Sequence, residues 1–199
     1  MELINDSDVW VNCPVDHLWI YDKLILAKKL GYSAGPAGVC VPKADWYVVR
    51  PITNCRMMGL GAYKSWLVPD KDNIPDGYFW CEWFSGRHIT IDYNYGQQGL
   101  AAEGIKFTGS LNRFYNWEKI EYPYQLPECL QQVANASRWL NIELIDGKII
   151  EVHLRYNDDF SGHNSSVIWP VWKDQQINQP AGTSFIENAC GARLGFWYK

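Results

Sequence analysis

The chain has 199 residues, 47% of them apolar and 20% charged, enough for one compact domain or two small lobes around a real core. A formal net charge of −4, with no basic tail or stripe, excludes nonspecific nucleic-acid binding, although a nucleotide ligand needs only a local basic site. No run approaches the ~20 apolar residues of a membrane-spanning helix.

Residues 1–14 are polar, then short and extended, and MELINDSDVW has neither a basic region nor an apolar one of the secretory kind. Six cysteines without metal-type spacing read as small core fillers, reduced in a cytoplasmic protein. Asp16 is a candidate N-cap for a helix running to Gly31, with Leu18, Tyr21, Leu24, Ile25 and Leu26 on its buried side and Lys23, Lys28 and Lys29 elsewhere. Gly31 to Asp45 is a loop by its Gly and Pro content. Trp46 to Pro51 is a strand with Arg50 at its end. Arg56 to Gly61 reads as a glycine-bearing hairpin tip, either a plain turn or a cradle of N–H groups for phosphate.

A second loop, Leu67 to Gly77, precedes the β run Tyr78 to Phe84. Glu82 in that run needs a partner, because an unpaired buried carboxylate is costly; the partner is either a salt bridge within the fold or a ligand. His88 to Tyr95 alternates like a strand with one wet face, and Asn94 to Gly99 turns the chain back. Residues 112–125 read as irregular with short strands. Leu126-Pro127-Glu128 opens a helix to about Leu140, with Leu130, Val133, Ala134 and Ser137 on one stripe. The last forty residues read as loop, with a short apolar piece, Ser166 to Trp172, interrupted by Pro170.

Between the helix and that last segment lies the chemically densest stretch, Asn141 to Phe160. Asp146-Gly147 is a hairpin signal. A two-residue turn would pair Ile145 with Lys148 and put Glu143 and Glu151 on opposite faces of a regular ladder. A three-residue turn with Gly147 as a bulge would pair Leu144 with Lys148. That register sets Asn141, Glu143, Glu151 and His153 on one face and Ile142, Leu144, Ile150, Val152 and Leu154 on the other, so it is the expected one. Two carboxylates side by side repel unless a cation or a proton sits between them, and hard oxygens favour Mg²⁺ or Mn²⁺. A magnesium ion with few protein ligands completes its shell with phosphate and water, so Glu143 and Glu151 suggest a metal–nucleotide site.

In their order, Asp22-Lys23, the Gly/Pro loop, Val48-Val49-Arg50-Pro51, Arg56 to Gly61, Cys81-Glu82-Trp83-Phe84, the helix from Leu126 and Glu151-Val152-His153-Leu154-Arg155 resemble the ATP-grasp superfamily across residues 16–160. The resemblance implies an α+β, two-lobed ATP-grasp-like fold of antiparallel sheets with a few packed helices, residues 1–80 forming one lobe and 81–199 the other. It also implies an ATP-dependent carboxylate–amine ligase acting through an acyl phosphate on small-molecule or peptide substrates.

By the same resemblance Arg50, Arg56, Gly59 and Gly61 would meet the nucleotide phosphates, and Glu82 the adenosine. Glu143, Glu151 and His153 would serve Mg²⁺ or Mn²⁺, and Arg155 the transferred phosphoryl. Arg50 stands where Lys is usual and His153 where Asn is usual, and the family's N-terminal substrate domain has no counterpart. These departures suit an alternative, a catalytically degenerate binding or assembly protein, and a metal-dependent phosphoryl-transfer protein on another α+β fold is a third reading. Asp158 and Asp159 would face water or bind an amine. An oligomer is compatible with all of these.

Overall fold

Asp22 divides the N-terminal helical region of the computed structural model, which describes residues 6–53, 59–71, 74–175 and 178–199. Before it lie helix α1 (Asp6–Asn12) and a 3₁₀ helix (Val15–Tyr21); after it comes α2 (Lys23–Lys29). The single helix expected from Asp16 is therefore broken. Asp22 takes an extended φ/ψ of −87°/100°, and its carboxylate accepts from the Ile25 N–H at 2.8 Å, capping α2. Gly31 closes α2 as expected: at φ +78° its N–H donates to Lys28 O, while Tyr32 N–H reaches back to Ala27 O.

The next segment builds a four-stranded antiparallel sheet in the order β1-β4-β2-β3, from β1 (Ala34–Pro36), β2 (Asp45–Pro51), β3 (Tyr63–Leu67) and β4 (Tyr78–Glu82). Both predicted strands, β2 and β4, sit in its middle. One side buries Tyr47, Val49 and Trp80 with Val41 and Ile74. The other packs Phe79 and Cys81 against Ala27 of α2 and Phe84.

The remaining strands are β5 (His88–Asn94), β6 (Gln97–Lys106), β7 (Phe114–Lys119), β8 (Trp139–Ile145), β9 (Lys148–His153), β10 (Val167–Trp172), β11 (Ser184–Cys190) and β12 (Arg193–Tyr198). They form one eight-stranded sheet in the order β11-β12-β10-β7-β6-β5-β8-β9. Helix α3 (Glu128–Ala136) lays Leu130, Val133 and Ala134 on one face of it, against Ile89, Ile91, Leu140, Ile142 and Leu144. Burying the Val, Leu and Ile side chains among these contributes roughly 1.5–3 kcal/mol each.

Several sequence expectations are corrected here. Helix α3 stops at Ala136, because Ser137 is already extended at φ −106°, ψ 138° and Leu140 belongs to β8. Residues 112–125, by contrast, are irregular with one short strand, β7, at Phe114–Lys119, as expected. Strand β5 has no wet face: all but its last residue is buried, since it lies inside the sheet with a second layer on each side. The C-terminal segment is a three-stranded extension, and Pro170 lies within β10. There β7 pairs only with Val167 and Ile168, so its ladder has ended before the proline's missing N–H could matter. Among the described cysteines only Cys81 is buried; all are free, and Cys40 is exposed.

Residues 83–87 connect the two sheets. Gly86 adopts φ +136°, and a Cβ there would lie 2.8 Å from Cβ of Asp146 at the tip of the β8–β9 hairpin. Asp146 N–H also donates to Arg87 O at 2.9 Å.

Candidate active site

The face of the large sheet opposite α3 turns toward the small sheet and bounds a cavity of 380 Å³. Val48, Arg50 and Cys81 line it from the small sheet, Trp83 to Gly86 from the connection, and polar positions of β5, β8 and β9 from the large sheet. The alternation of these strands explains the sorting. Ile89, Ile91, Ile142 and Leu144 enter the core under α3, which leaves His88, Thr90, Asn141 and Glu143 on the cavity side.

The β8–β9 hairpin reaches the expected arrangement by a different route. Asp146 and Gly147 have φ of 50° and 75°, the signature of a two-residue type I′ turn, and Ile145 pairs with Lys148. The expected pairing of Leu144 with Lys148 is thus incorrect. The ladder shifts one residue later, at Ile150, and from there Glu143 pairs with Glu151, Ile142 with Val152 and Asn141 with His153. Because of this bulge, successive residues Ile150 and Glu151 both line the cavity, while Ile149 is 1% exposed in the core. Ile150 was expected on the opposite face.

Glu143, Glu151 and His153 each present a ligand atom, all within 4.8 Å of one another. Lys23, the first residue of α2, sends Nζ to Glu151 Oε1 at 2.5 Å, and His153 Nε2 lies 3.7 Å from the same oxygen. Both partners of the Lys23–Glu151 pair are at least nine-tenths buried. Across the ladder, His88 Nε2 lies 3.1 Å from Glu143 Oε2. Burial pushes the His88 pKa down against the pull of Glu143, so the ring is neutral at pH 7 and its Nε2–H donates to the carboxylate. Burial alone would raise Glu143, but the hydrogen bond from His88, with the ammonium of Lys23 nearby, holds it well below the usual carboxylate range.

Arg50 enters from β2. Its Nε is buried without a hydrogen-bond partner among the described residues, and its guanidinium lies 5.2 Å from the Phe79 ring centroid. Burial lowers its pKa, opposed first by the charge of Glu151, so the guanidinium stands within the field of the acid cluster across the cavity. Arg155, 7% exposed, also lines the cavity and donates from Nη1 to Tyr156 O at 3.2 Å.

Other expected site residues are placed as follows. Gly59 lines the cavity; Gly61, at φ +82°, packs against Tyr78 and Pro51 instead. Arg56 lies outside the described residues. Glu82 is not part of the cavity wall; its Oε1 accepts from Ser33 N–H at 3.1 Å, across the junction of β4 and β1. Asp158 and Asp159 both line the cavity, and Asp159 is held there by Arg193 at 3.1 Å rather than facing water alone.

Sequence reasoning missed Lys23, His88, Lys106 and Arg193, all of which line the cavity. A signal existed for His88. In β5 His88, Thr90 and Asp92 alternate with Ile89, Ile91 and Tyr93, and a polar stripe in a fully buried strand marks an internal polar wall. Lys23 gave no such signal, because helical periodicity placed it off the buried stripe.

No family model matches the sequence, and no curated protein matches it. Solved structures do match in shape. A protein from Archaeoglobus fulgidus provisionally assigned to the ATP-grasp superfamily aligns over 90% of this chain and 64% of its own, with a TM-score of 0.52 and 12% identity. An L-amino acid ligase from Bacillus licheniformis aligns over 72% of this chain and 42% of its own at 14% identity, TM-score 0.44. D-alanine–D-alanine ligase from Bacillus anthracis aligns over 69% and 57% at 18% identity, TM-score 0.35. The chain therefore spans less than two thirds of the length of each of these proteins. Two antiparallel sheets closing on a cavity, an acidic hairpin on the larger of them and the match to the archaeal structure together identify the fold of this chain as ATP-grasp.

Proposed function

We propose that this protein binds ATP with a divalent cation between its two sheets and uses it to join a carboxylate to an amine. The observation that carries the reading is the pairing across the cavity of a buried arginine Nε, without a partner among the described residues, and a cluster of two carboxylates and an imidazole. A buried N–H without an acceptor is costly, and a phosphate oxygen satisfies it with a charge-assisted bond. A triphosphate also needs its own charge neutralised, which a cation on Glu143, Glu151 and His153 would do.

The residues fit such a cation. Two carboxylate oxygens suit Mg²⁺ or Mn²⁺, and the imidazole tilts the preference toward Mn²⁺. His88 keeps Glu143 ionised and oriented. Arg50 and Arg155 flank the cluster and would hold the phosphates and the transferred phosphoryl group, whose negative charge concentrates in the transition state. A carboxylate oxygen of the donor bonds to the γ-phosphorus as the bridging bond to ADP breaks. The amine then attacks the acyl carbon, the C–N bond forms, phosphate leaves with the C–O electron pair, and the ammonium proton passes to solvent. Val48, Cys81 and Trp83 supply an apolar wall for the base.

A second reading rests on Lys23. Its ammonium already neutralises Glu151, so the protein would be a nucleotide-binding or assembly protein in which an internal amine replaces the cation. Thermal denaturation with ATP, Mg²⁺ and Mn²⁺ separates the two, since a ligand of the native state raises the melting temperature. A shift that needs both ATP and cation and disappears in Glu151→Gln supports the ligase. A shift with ATP alone that ignores cations supports nucleotide binding without catalysis, and no shift with any nucleotide or cation defeats the ligase and favours the assembly protein.

A further inference from the structure

The cavity continues past Glu143 across β5, β6, β7 and β10, where its wall is aromatic: His88, Phe114, Trp117 and Trp172. Gly104 makes this wall possible. A Cβ there would stand 2.6 Å from Phe114 Cδ1 and 2.9 Å from Trp117 Cη2, so only a bare α-carbon lets the two rings lie over β6. Their centroids are 4.3 Å apart, and His88 abuts both at 4.9 and 5.7 Å. Trp172 Nε1 donates to Phe114 O at 3.1 Å, which fixes the wall from β10.

Set into this apolar surface is Lys106, the last residue of β6, with Nζ 5.5 Å from the Phe114 centroid. It has no hydrogen-bond or ion-pair partner among the described residues. The neighbouring cations differ: Arg193 is paired with Asp159, and Arg113 with Asp174. Burial depresses the Lys106 pKa, opposed only by the charge of Glu143. A series of contacts, Lys106 over Phe114, Phe114 against His88, His88 on Glu143, links this ammonium to the acid cluster through two rings.

The geometry points to this compartment as the subsite for a carboxylic acid with a flat apolar body, its carboxylate on Lys106 and its body against Phe114, Trp117 and Trp172. The inference rests on the ATP reading above and adds to it the chemical class of the donor. An acid bound here presents its carboxylate beside Glu143, where the γ-phosphate of ATP would lie. The same ammonium could meet a phosphate of ATP instead, and the experiment distinguishes the two anions.

Phenylacetate and, separately, ATP with Mn²⁺ are titrated calorimetrically into wild type, Lys106→Met, Lys106→Arg and Glu151→Gln. Hydroxylamine trapping of the acyl phosphate is then compared for phenylacetate, benzoate, acetate and succinate. Lys106→Met is expected to weaken phenylacetate binding by about tenfold or more, while Lys106→Arg and Glu151→Gln retain it and ATP binding in Lys106→Met stays within about twofold of wild type. The aromatic acids are expected to give more hydroxamate than acetate or succinate. Failure of phenylacetate to bind wild type, or equal binding by wild type and Lys106→Met, overturns the inference whatever ATP does. Loss of ATP affinity in Lys106→Met reassigns the residue to the nucleotide. Phenylacetate binding without ATP binding leaves the subsite standing and refutes the ATP reading.

Discussion

Lys23 Nζ and Glu151 Oε1, 2.5 Å apart, join the first turn of α2 to the last strand of the large sheet, and neither side chain is more than 10% exposed. Removing one partner of such a pair strands the other charge in a poor solvent. Lys23→Met is therefore expected to lose about 3–5 kcal/mol of stability, and Lys23→Met with Glu151→Gln markedly less, as read from urea midpoints. If Lys23 and a divalent cation share Glu151, millimolar Mn²⁺ should restore more of the melting temperature to Lys23→Met than it adds to wild type. An equal response in both proteins would detach Lys23 from the cation site.

Arg50 is expected to show the opposite balance. Its buried Nε has no partner among the described residues, so Arg50→Met should leave stability unchanged or slightly raised. The same substitution should weaken ATP by about 10–100-fold, the worth of charge-assisted bonds to phosphate. Calorimetric titration beside a denaturation curve checks both halves.

His88 tests the orientation of Glu143. With its Nε2 on Glu143 and aromatic rings at its sides, the imidazole fixes where that carboxylate points. His88→Phe keeps the packing and loses the bond. Affinity for Mn²⁺, followed by electron paramagnetic resonance of the free ion, should fall by about tenfold or more. His88→Gln, which can still donate, should recover part of it.

Asp92 gives a pH signature. Burial pushes its carboxyl up to about 6, against hydrogen bonds from Asn141 Nδ2 and Asn157 N–H. Between about pH 4 and 6 the folded protein keeps a proton that the unfolded chain has released. Stability from this group is therefore highest at the acid end, falls as pH rises through about 6 and is level above it. Asp92→Asn retains the acceptor oxygen and removes the titration. Its stability relative to wild type should grow by up to about 3 kcal/mol from pH 4 to pH 7. A pH-independent difference in unfolding free energy would show that Asp92 titrates normally.

The central strands were legible because their chemistry is local. Trp46 to Pro51 and Tyr78 to Phe84 are β-branched and aromatic runs, and both became middle strands of the small sheet. The grouping of Glu143, Glu151 and His153 on one face was legible as well, because only one sorting of the hairpin separates polar from apolar side chains. The device that achieves it was not. A two-residue turn followed by a bulge at Ile150 and a bulged three-residue turn put Glu143, Glu151 and His153 on the same face but in different pairs, Glu143 meeting Glu151 in the first and Ile149 in the second, and the choice depends on what packs around Ile149 and Ile150.

Strands β11 and β12 escaped notice for a related reason. Ser184 to Cys190 is an edge strand with polar or small residues at most of its positions, and its pairing with β12 is broken between Glu187 and Cys190. Lys23 and Lys106 were invisible because each is buried by elements distant in sequence. Charge on a helix or at a strand end reads as solvated until those elements arrive.

The approach of Gly86 to Asp146 ties the connector between the sheets to the tip of the acidic hairpin. Gly86 and Arg87 thus move with the large sheet, and any change in the angle between the sheets has to be taken up by Trp83, Phe84 and Ser85, the stretch that also walls the cavity.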